Sequence, residues 1–242
     1  MRIVFLGTSH GIPQPGRKCS CTLVETAGQF YLIDMGTMVM EELVARNIPA
    51  ESIRAVLLTH MPGDHTHGLP AFLDQISWAW KNADPEIFLP EAALAPWLEE
   101  WVARTSGRTR AYRWRGVETG VILDDGIVRV TAFQNRHTQR SFSFLLEAEG
   151  KRVLFTGDLK NPKTDFPQPA DGTALDLVVG EAAHFPAEDY AGPCEKYGVK
   201  TLCLNHCSPK KMPEILALSQ APFPARILLA EDGMELTLSG LE

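Results

Sequence analysis

The chain has 242 residues, 45% hydrophobic and 22% charged, an ordinary globular balance that allows a substantial core. Thirty acidic residues against 23 basic give a net charge of −7, which argues against a protein that grips nucleic acid through non-specific phosphate contacts. Five scattered cysteines point to reduced thiols in the cytoplasm, Ile3–Leu6 is too short for a signal peptide, and no apolar run reaches the roughly 20 residues of a membrane span.

The chain opens on a short strand, Arg2–Leu6, and a tight loop, Gly7–Pro13. Strands Thr22–Glu25 and Phe30–Ile33 follow, turning at Ala27-Gly28, before Asp34-Met35-Gly36 breaks the sheet and Met38–Arg46 reads as a helix. The apolar run Ile53–Leu58 predicts a buried strand, followed by helix Leu69–Lys81, strand Glu86–Leu89 and helix Glu91–Arg104. Arg104–Arg115 interleaves five arginines with Tyr112 and Trp114. It reads as a solvated connection whose aromatics pack inward, the sharper alternative being a clamp for a phosphate-bearing substrate.

The second half is β-rich: Val121–Leu123, Val128–Phe133, Ser141–Glu147, Arg152–Phe155 and Leu175–Val179. Helix Glu188–Tyr197, strand Thr201–Leu204, a short helix after Pro213 and strands Arg226–Leu229 and Glu235–Leu238 complete it. The two halves share a plan, and no low-complexity linker separates them, so one domain over 1–242 is expected.

The chemistry concentrates in Leu57–Leu69, where a strand end spills His60, Asp64 and His65 into a turn. Three later strand ends carry further candidates: His137 after Phe133, Asp158 after Phe155, and His206 after Leu204. Each alone is usually a satisfied hydrogen-bonding residue. Together, four of seven histidines and two carboxylates stand just past strands, the pattern by which a rigid scaffold gathers nitrogen and oxygen ligands for zinc or a similar ion.

The series Thr59-His60, Asp64-His65, Gly68-Leu69, His137, Gly157-Asp158 and His206 resembles the metallo-β-lactamase superfamily. Gly7-Thr8-Ser9, Ile33-Asp34-Met35-Gly36, Val179-Gly180-Glu181-Ala182-Ala183, His206-Cys207-Ser208-Pro209 and Asp232-Gly233 are most similar to its ribonuclease Z branch and small phosphodiesterase relatives. The resemblance implies an α/β, four-layer αββα sandwich with metals at one edge of the facing sheets. It also implies a first metal held by His60, a histidine two residues on, and His137. A second would be held by Asp64, His65 and His206, with Asp158 bridging both. Here Pro62 stands where the second histidine belongs, so the expectation is one or two divalent ions, zinc first, manganese or iron as alternatives.

The implied activity is hydrolysis by a metal-bound hydroxide, with Asp64 as ligand and proton acceptor. The histidine that serves the leaving group in ribonuclease Z falls at Gly180, and His184 is the candidate replacement. His10 and Lys210 are candidate substrate contacts. The long tRNA-gripping arm has no obvious counterpart, so a small nucleotide-like or cyclic phosphodiester is expected and tRNA is not. The alternatives are a lactone or thioester hydrolase, or a non-enzymatic sensor with a degraded first site. A homodimer is expected by analogy.

Overall fold

The structure is a computed structural model and describes residues 1–169 and 172–238. The described residues form fourteen strands in two sheets of seven. The first holds β1 (Arg2–Gly7), β2 (Cys21–Thr26), β3 (Gln29–Ile33), β4 (Ile53–Leu57), β5 (Glu86–Leu89) and β6 (Arg113–Gly116) in chain order, with the last strand, β14 (Glu235–Thr237), beside β1. The second runs from β7 (Gly120–Asp124) through β8 (Arg129–Gln134), β9 (Phe142–Ala148), β10 (Lys151–Phe155), β11 (Leu177–Glu181) and β12 (Thr201–Asn205) to β13 (Arg226–Leu229).

The two sheets repeat one plan. β1 to β3 pair antiparallel and β3 to β6 parallel; β7 to β10 pair antiparallel and β10 to β13 parallel. Parallel neighbours need crossovers, which helices supply. In the first half these are α1 (Val39–Ala45), α2 (Gly63–Thr66), α3 (Gly68–Trp78) and α4 (Ala95–Ser106); in the second, α5 (Pro162–Asp165), α6 (Ala191–Lys196) and α7 (Met212–Leu218).

Strands covered on both faces read as continuous apolar runs, and their side chains divide by parity. In β1, Ile3 and Phe5 enter the core between the sheets, where they meet Leu57, Phe144 and Phe155. Val4 and Leu6 face the other way, against Leu43, Phe72 and Leu73 from α1 and α3. A third cluster joins Leu154, Val178 and Leu202 to Cys194 and Ile215 on α6 and α7. Three apolar seams between four layers make the αββα sandwich that the motifs implied.

Most predicted elements are present, with bounds moved by local chemistry. The helix expected over 91–104 begins only at Ala95 after a 3-10 turn, because Pro96 fits only a first helical turn. The helix expected over 188–197 likewise splits into a 3-10 turn, Ala187–Tyr190, and α6. The helix expected to run to Lys81 ends at Trp78, and α2 precedes it.

The arginine segment contains the unforeseen strand β6, paired to β5. Its alternation is real but polar. Arg113 and Arg115 reach Glu86 at 2.8 and 2.7 Å, whereas Trp114 turns inward and donates to Glu99 at 2.7 Å. Arg110 caps the Ile76 carbonyl at 2.6 Å and pairs with Asp84 at 2.9 Å. These side chains brace a sheet edge rather than clamp a ligand. All five cysteines are buried free thiols, and no described helix is long and apolar enough to cross a membrane.

Candidate metal centre

Every residue that the spacing singled out as a metal ligand lies just beyond the carboxyl end of a strand, where crevices open in sheets of this kind. His60, Asp64 and His65 follow β4, His137 follows β8, Asp158 follows β10 and His206 follows β12. Twisted sheets packed face to face bring these ends together. His60, His137 and Asp158 form one cluster and Asp64, His65 and His206 a second, with donor atoms inside each no more than 4.8 Å apart.

Asp158 sits between them. Its Oδ2 is 3.7 Å from both His60 Nε2 and His137 Nε2 and 3.3 Å from His206 Nε2, while Oδ1 is 3.5 Å from His65 Nε2. Asp64 Oδ2 lies 3.7 Å from both His65 Nε2 and His206 Nε2. His60 Nε2, His65 Nε2 and Asp158 Oδ1 are buried without a hydrogen-bond partner. Native interiors rarely leave such atoms unpaired. Lone pairs converging at these separations fit a divalent ion with imidazole and carboxylate ligands.

A set of residues outside the predicted site orients the candidate ligands. Asp34, buried after β3, accepts His65 Nδ1–H at 2.8 Å, the Thr59 amide at 2.8 Å, and the Thr59 hydroxyl at 2.9 Å. The same hydroxyl lies 3.0 Å from His60 Nδ1. Ser20 Oγ stands 2.6 Å from His206 Nδ1, and Asp64 Oδ2 accepts the Gly11 amide at 2.8 Å. Each bond through Nδ1 turns the Nε2 lone pair into the centre. The backbone is strained where this happens: Asp34 (φ 59°) and His206 (φ 49°) occupy the left-handed region, which costs about 1–3 kcal/mol per non-glycine residue. Gly36 makes the approach possible, since a Cβ there would fall 1.9 Å from the Asp64 carbonyl oxygen.

Charge in the cluster is shared unequally. Burial, then the neighbouring His65, pushes His60 down to about 4. Burial also works against charge on His65, but Asp34 and Asp158 outweigh it and raise that histidine well above its ordinary value. Burial alone would raise Asp158; His206 and His65 instead hold it well below the carboxylate range. Asp64 is lowered in the same way, burial being outweighed by His65, the Gly11 amide and His206.

At the rim, His184 Nδ1 lies 2.8 Å from Glu181 Oε1 and 3.8 Å from Asp158 Oδ2, with its ring 4.8 Å from that of His137. The Glu181 carboxylate is buried and accepts three backbone amides, Leu159, Ala183 and His184. Its hydrogen bond is the main cause of the raised His184 pKa. Gly180 cannot simply regain a histidine, because even a Cβ there would lie 2.6 Å from the Tyr190 hydroxyl. His10 stands with its ring 5.4 Å from that of His206 and 6.2 Å from that of His184. Lys210 is exposed on the 3-10 turn Pro209–Lys211, its neighbour Lys211 donating to the Phe185 carbonyl at 2.8 Å. His67 is exposed, its ring over Gly63, outside both clusters.

Asp34, Ser20, Thr59 and Glu181 were not assigned roles from sequence. Asp34, Thr59 and Glu181 lie inside the strand-end motifs, which is the signal the sequence offers for them. Nothing in sequence spacing marks Ser20.

Comparison with known proteins bears on the fold and the family. A ribonuclease Z from Listeria innocua is 31% identical over 157 residues, covering 63% of this chain and 51% of the relative. The chain thus spans about half the length of the Listeria relatives it matches. Human tRNase Z, short form, superposes with a TM-score of 0.76 at 23% identity, covering 98% of this chain and 99% of that one. The metallo-β-lactamase fold protein YhfI from Bacillus subtilis gives 0.75 at 18% identity, over 97% and 98% of the two chains. The architecture is therefore the metallo-β-lactamase fold, and, with residues 1–183 matching the model of the family described as anti-Pycsar protein Apyc1, the chain belongs to that family.

Proposed function

We propose that the protein is a metal-dependent hydrolase that cleaves the phosphodiester of a small nucleotide-like or cyclic phosphate substrate. The observation that carries this reading is the convergence of six strand-end side chains, three of which (His60, His65 and Asp158) hold a buried donor atom with no protein partner. His60, His137 and Asp158 would hold one ion, and Asp64, His65 and His206, sharing Asp158, another. A divalent ion there supplies Lewis acidity toward a phosphoryl oxygen and makes a water acidic enough to attack near neutral pH.

The chain's own groups do the rest. Ionised Asp64, fixed by the Gly11 amide, would accept a proton from the attacking water. His184 is held through Nδ1 by Glu181, so Nε2 is the nitrogen that would serve the leaving oxygen, and the raised pKa favours a proton on the ring. His10, with its ring near those of His206 and His184, would contact the substrate.

A small substrate suits the charge distribution. The net charge is −7, and Arg110, Arg113 and Arg115 are spent on Asp84, Glu86 and backbone carbonyls at the far edge strand. Little basic surface there remains free to follow a polyanion. The non-catalytic alternative has no need of the Glu181–His184 pair.

The test is turnover of an aryl phosphodiester, a panel of cyclic nucleotides, a lactone and a thioester by protein reconstituted with zinc, manganese or iron. Phosphodiester turnover that a chelator abolishes is expected. Folded protein that takes up none of these metals, or that acts only on the lactone or thioester, would overturn the proposal.

A further inference from the structure

The two clusters are not built alike. In the second, every ligand is clamped: His65 by Asp34 at 2.8 Å, His206 by Ser20 at 2.6 Å, and Asp64 by the Gly11 amide at 2.8 Å. With Asp158 this makes four donors, and the His65 and His206 side chains are only 2% and 5% exposed.

The first cluster has three donors. Pro62 stands two residues beyond His60 with extended angles (φ −55°, ψ 155°), where alternate residues share a side, and proline has no ligand atom. His137 is 20% exposed, and among the described residues no hydrogen bond orients its ring; Asn135 meets only its backbone amide, at 3.3 Å. His60 leans on the Thr59 hydroxyl at 3.0 Å rather than on a carboxylate. No neighbour fills the gap, because His67 lies over Gly63 in solvent and His184 is held by Glu181.

We infer that the two half-sites load unequally: the cluster of Asp64, His65, His206 and Asp158 retains a resident ion, while that of His60, His137 and Asp158 takes up a second ion that exchanges readily. Outer groups that orient a ligand are typically worth 10- to 100-fold in metal affinity, and the first cluster lacks both such a group on His137 and a fourth donor. The two dissociation constants should therefore differ by about 100-fold or more. Metal availability would then set how much of the protein carries both ions. This rests on the metal-dependent reading above.

The experiment strips the full chain with chelator, then titrates zinc against a chromophoric competitor, counting retained metal by elemental analysis after dialysis. Wild type should bind in two steps and retain one zinc per chain. Pro62→His should retain two, and His137→Ala should lose only the weak step. His206→Ala should lose the tight one. Circular dichroism checks each fold, and His137→Ala decides the question should Pro62→His not fold. Two zinc ions entering wild type in one step, a second ion no tighter in folded Pro62→His, or loss of the tight step in His137→Ala would overturn the inference alone. Folded wild type that binds no zinc, manganese or iron would instead remove the reading on which it rests.

Discussion

Asp34 touches no expected metal position, yet its replacement by asparagine should disturb the whole centre. Asparagine has nearly the same shape and tolerates the left-handed backbone at φ 59°, so the loop after β3 should survive. Its oxygen can keep the Thr59 amide, but its NH2 then faces His65 Nδ1–H, and two donors meet where a carboxylate accepted. Losing a buried charge-assisted hydrogen bond costs about 1.5–3 kcal/mol, and stranding its partner about 1–3 more. Relief from burying the carboxylate offsets part of this, so a net loss of about 3 kcal/mol is expected in metal-free protein. At roughly 2–4 °C per kcal/mol for a chain of this size, melting should fall by about 6–12 °C.

The loss has a definite pH sense. Asp34 helps hold His65 above its ordinary value, so the pair's contribution is complete below about pH 6.5 and fades as pH rises through the elevated value. The zinc affinity of the tight step should also drop about 10- to 100-fold, because the His65 ring loses its tether. Thermal unfolding at two pH values, with and without zinc, measures both effects. An Asp34→Asn protein melting within 2 °C of wild type, with unchanged zinc affinity, would refute the reasoning.

Zinc uptake should release protons, since Asp34 and Asp158 favour the protonated form of His65 in the metal-free protein and the ring must be neutral to bind; affinity should rise with pH, and binding heats compared across buffers of different ionisation enthalpy would reveal it. Glu181→Gln should lower the His184 pKa and move the alkaline loss of kcat to lower pH, leaving KM nearly unchanged. That effect should shrink on aryl substrates, whose leaving groups need little protonation, and an unshifted pH profile would count against the role of His184. Gly180→Ala should cost about 1–3 kcal/mol by crowding the Tyr190 hydroxyl, read as a lowered urea midpoint with an unchanged slope.

Much of this protein is legible in its sequence. Buried strands covered on both faces must be apolar almost throughout, so β1, β4, β10 and β12 stand out; His60, Asp158 and His206 close such runs, whereas His137 follows the half-exposed β8. The centre could be listed from linear spacing, since the gathering of strand ends is a property of the layered sheets. The strand β6 could not, because its four residues hold an edge by arginine–glutamate pairing and show no apolar signature.

The orienting groups were hidden for a different reason. A serine at 20 against a histidine at 206 is a contact across 186 residues, and only the folded chain puts them 2.6 Å apart. Glu181 and His184 are near in sequence, but burial of the carboxylate and its three amide donors make it a partner rather than a surface acid. The missing donor at Pro62 was visible in the sequence as a gap in a pattern. That the gap falls on the cluster holding the untethered, 20% exposed His137, while the other keeps its clamps on Asp64, His65 and His206, was decided by tertiary structure, because orientation and burial are relations between distant residues.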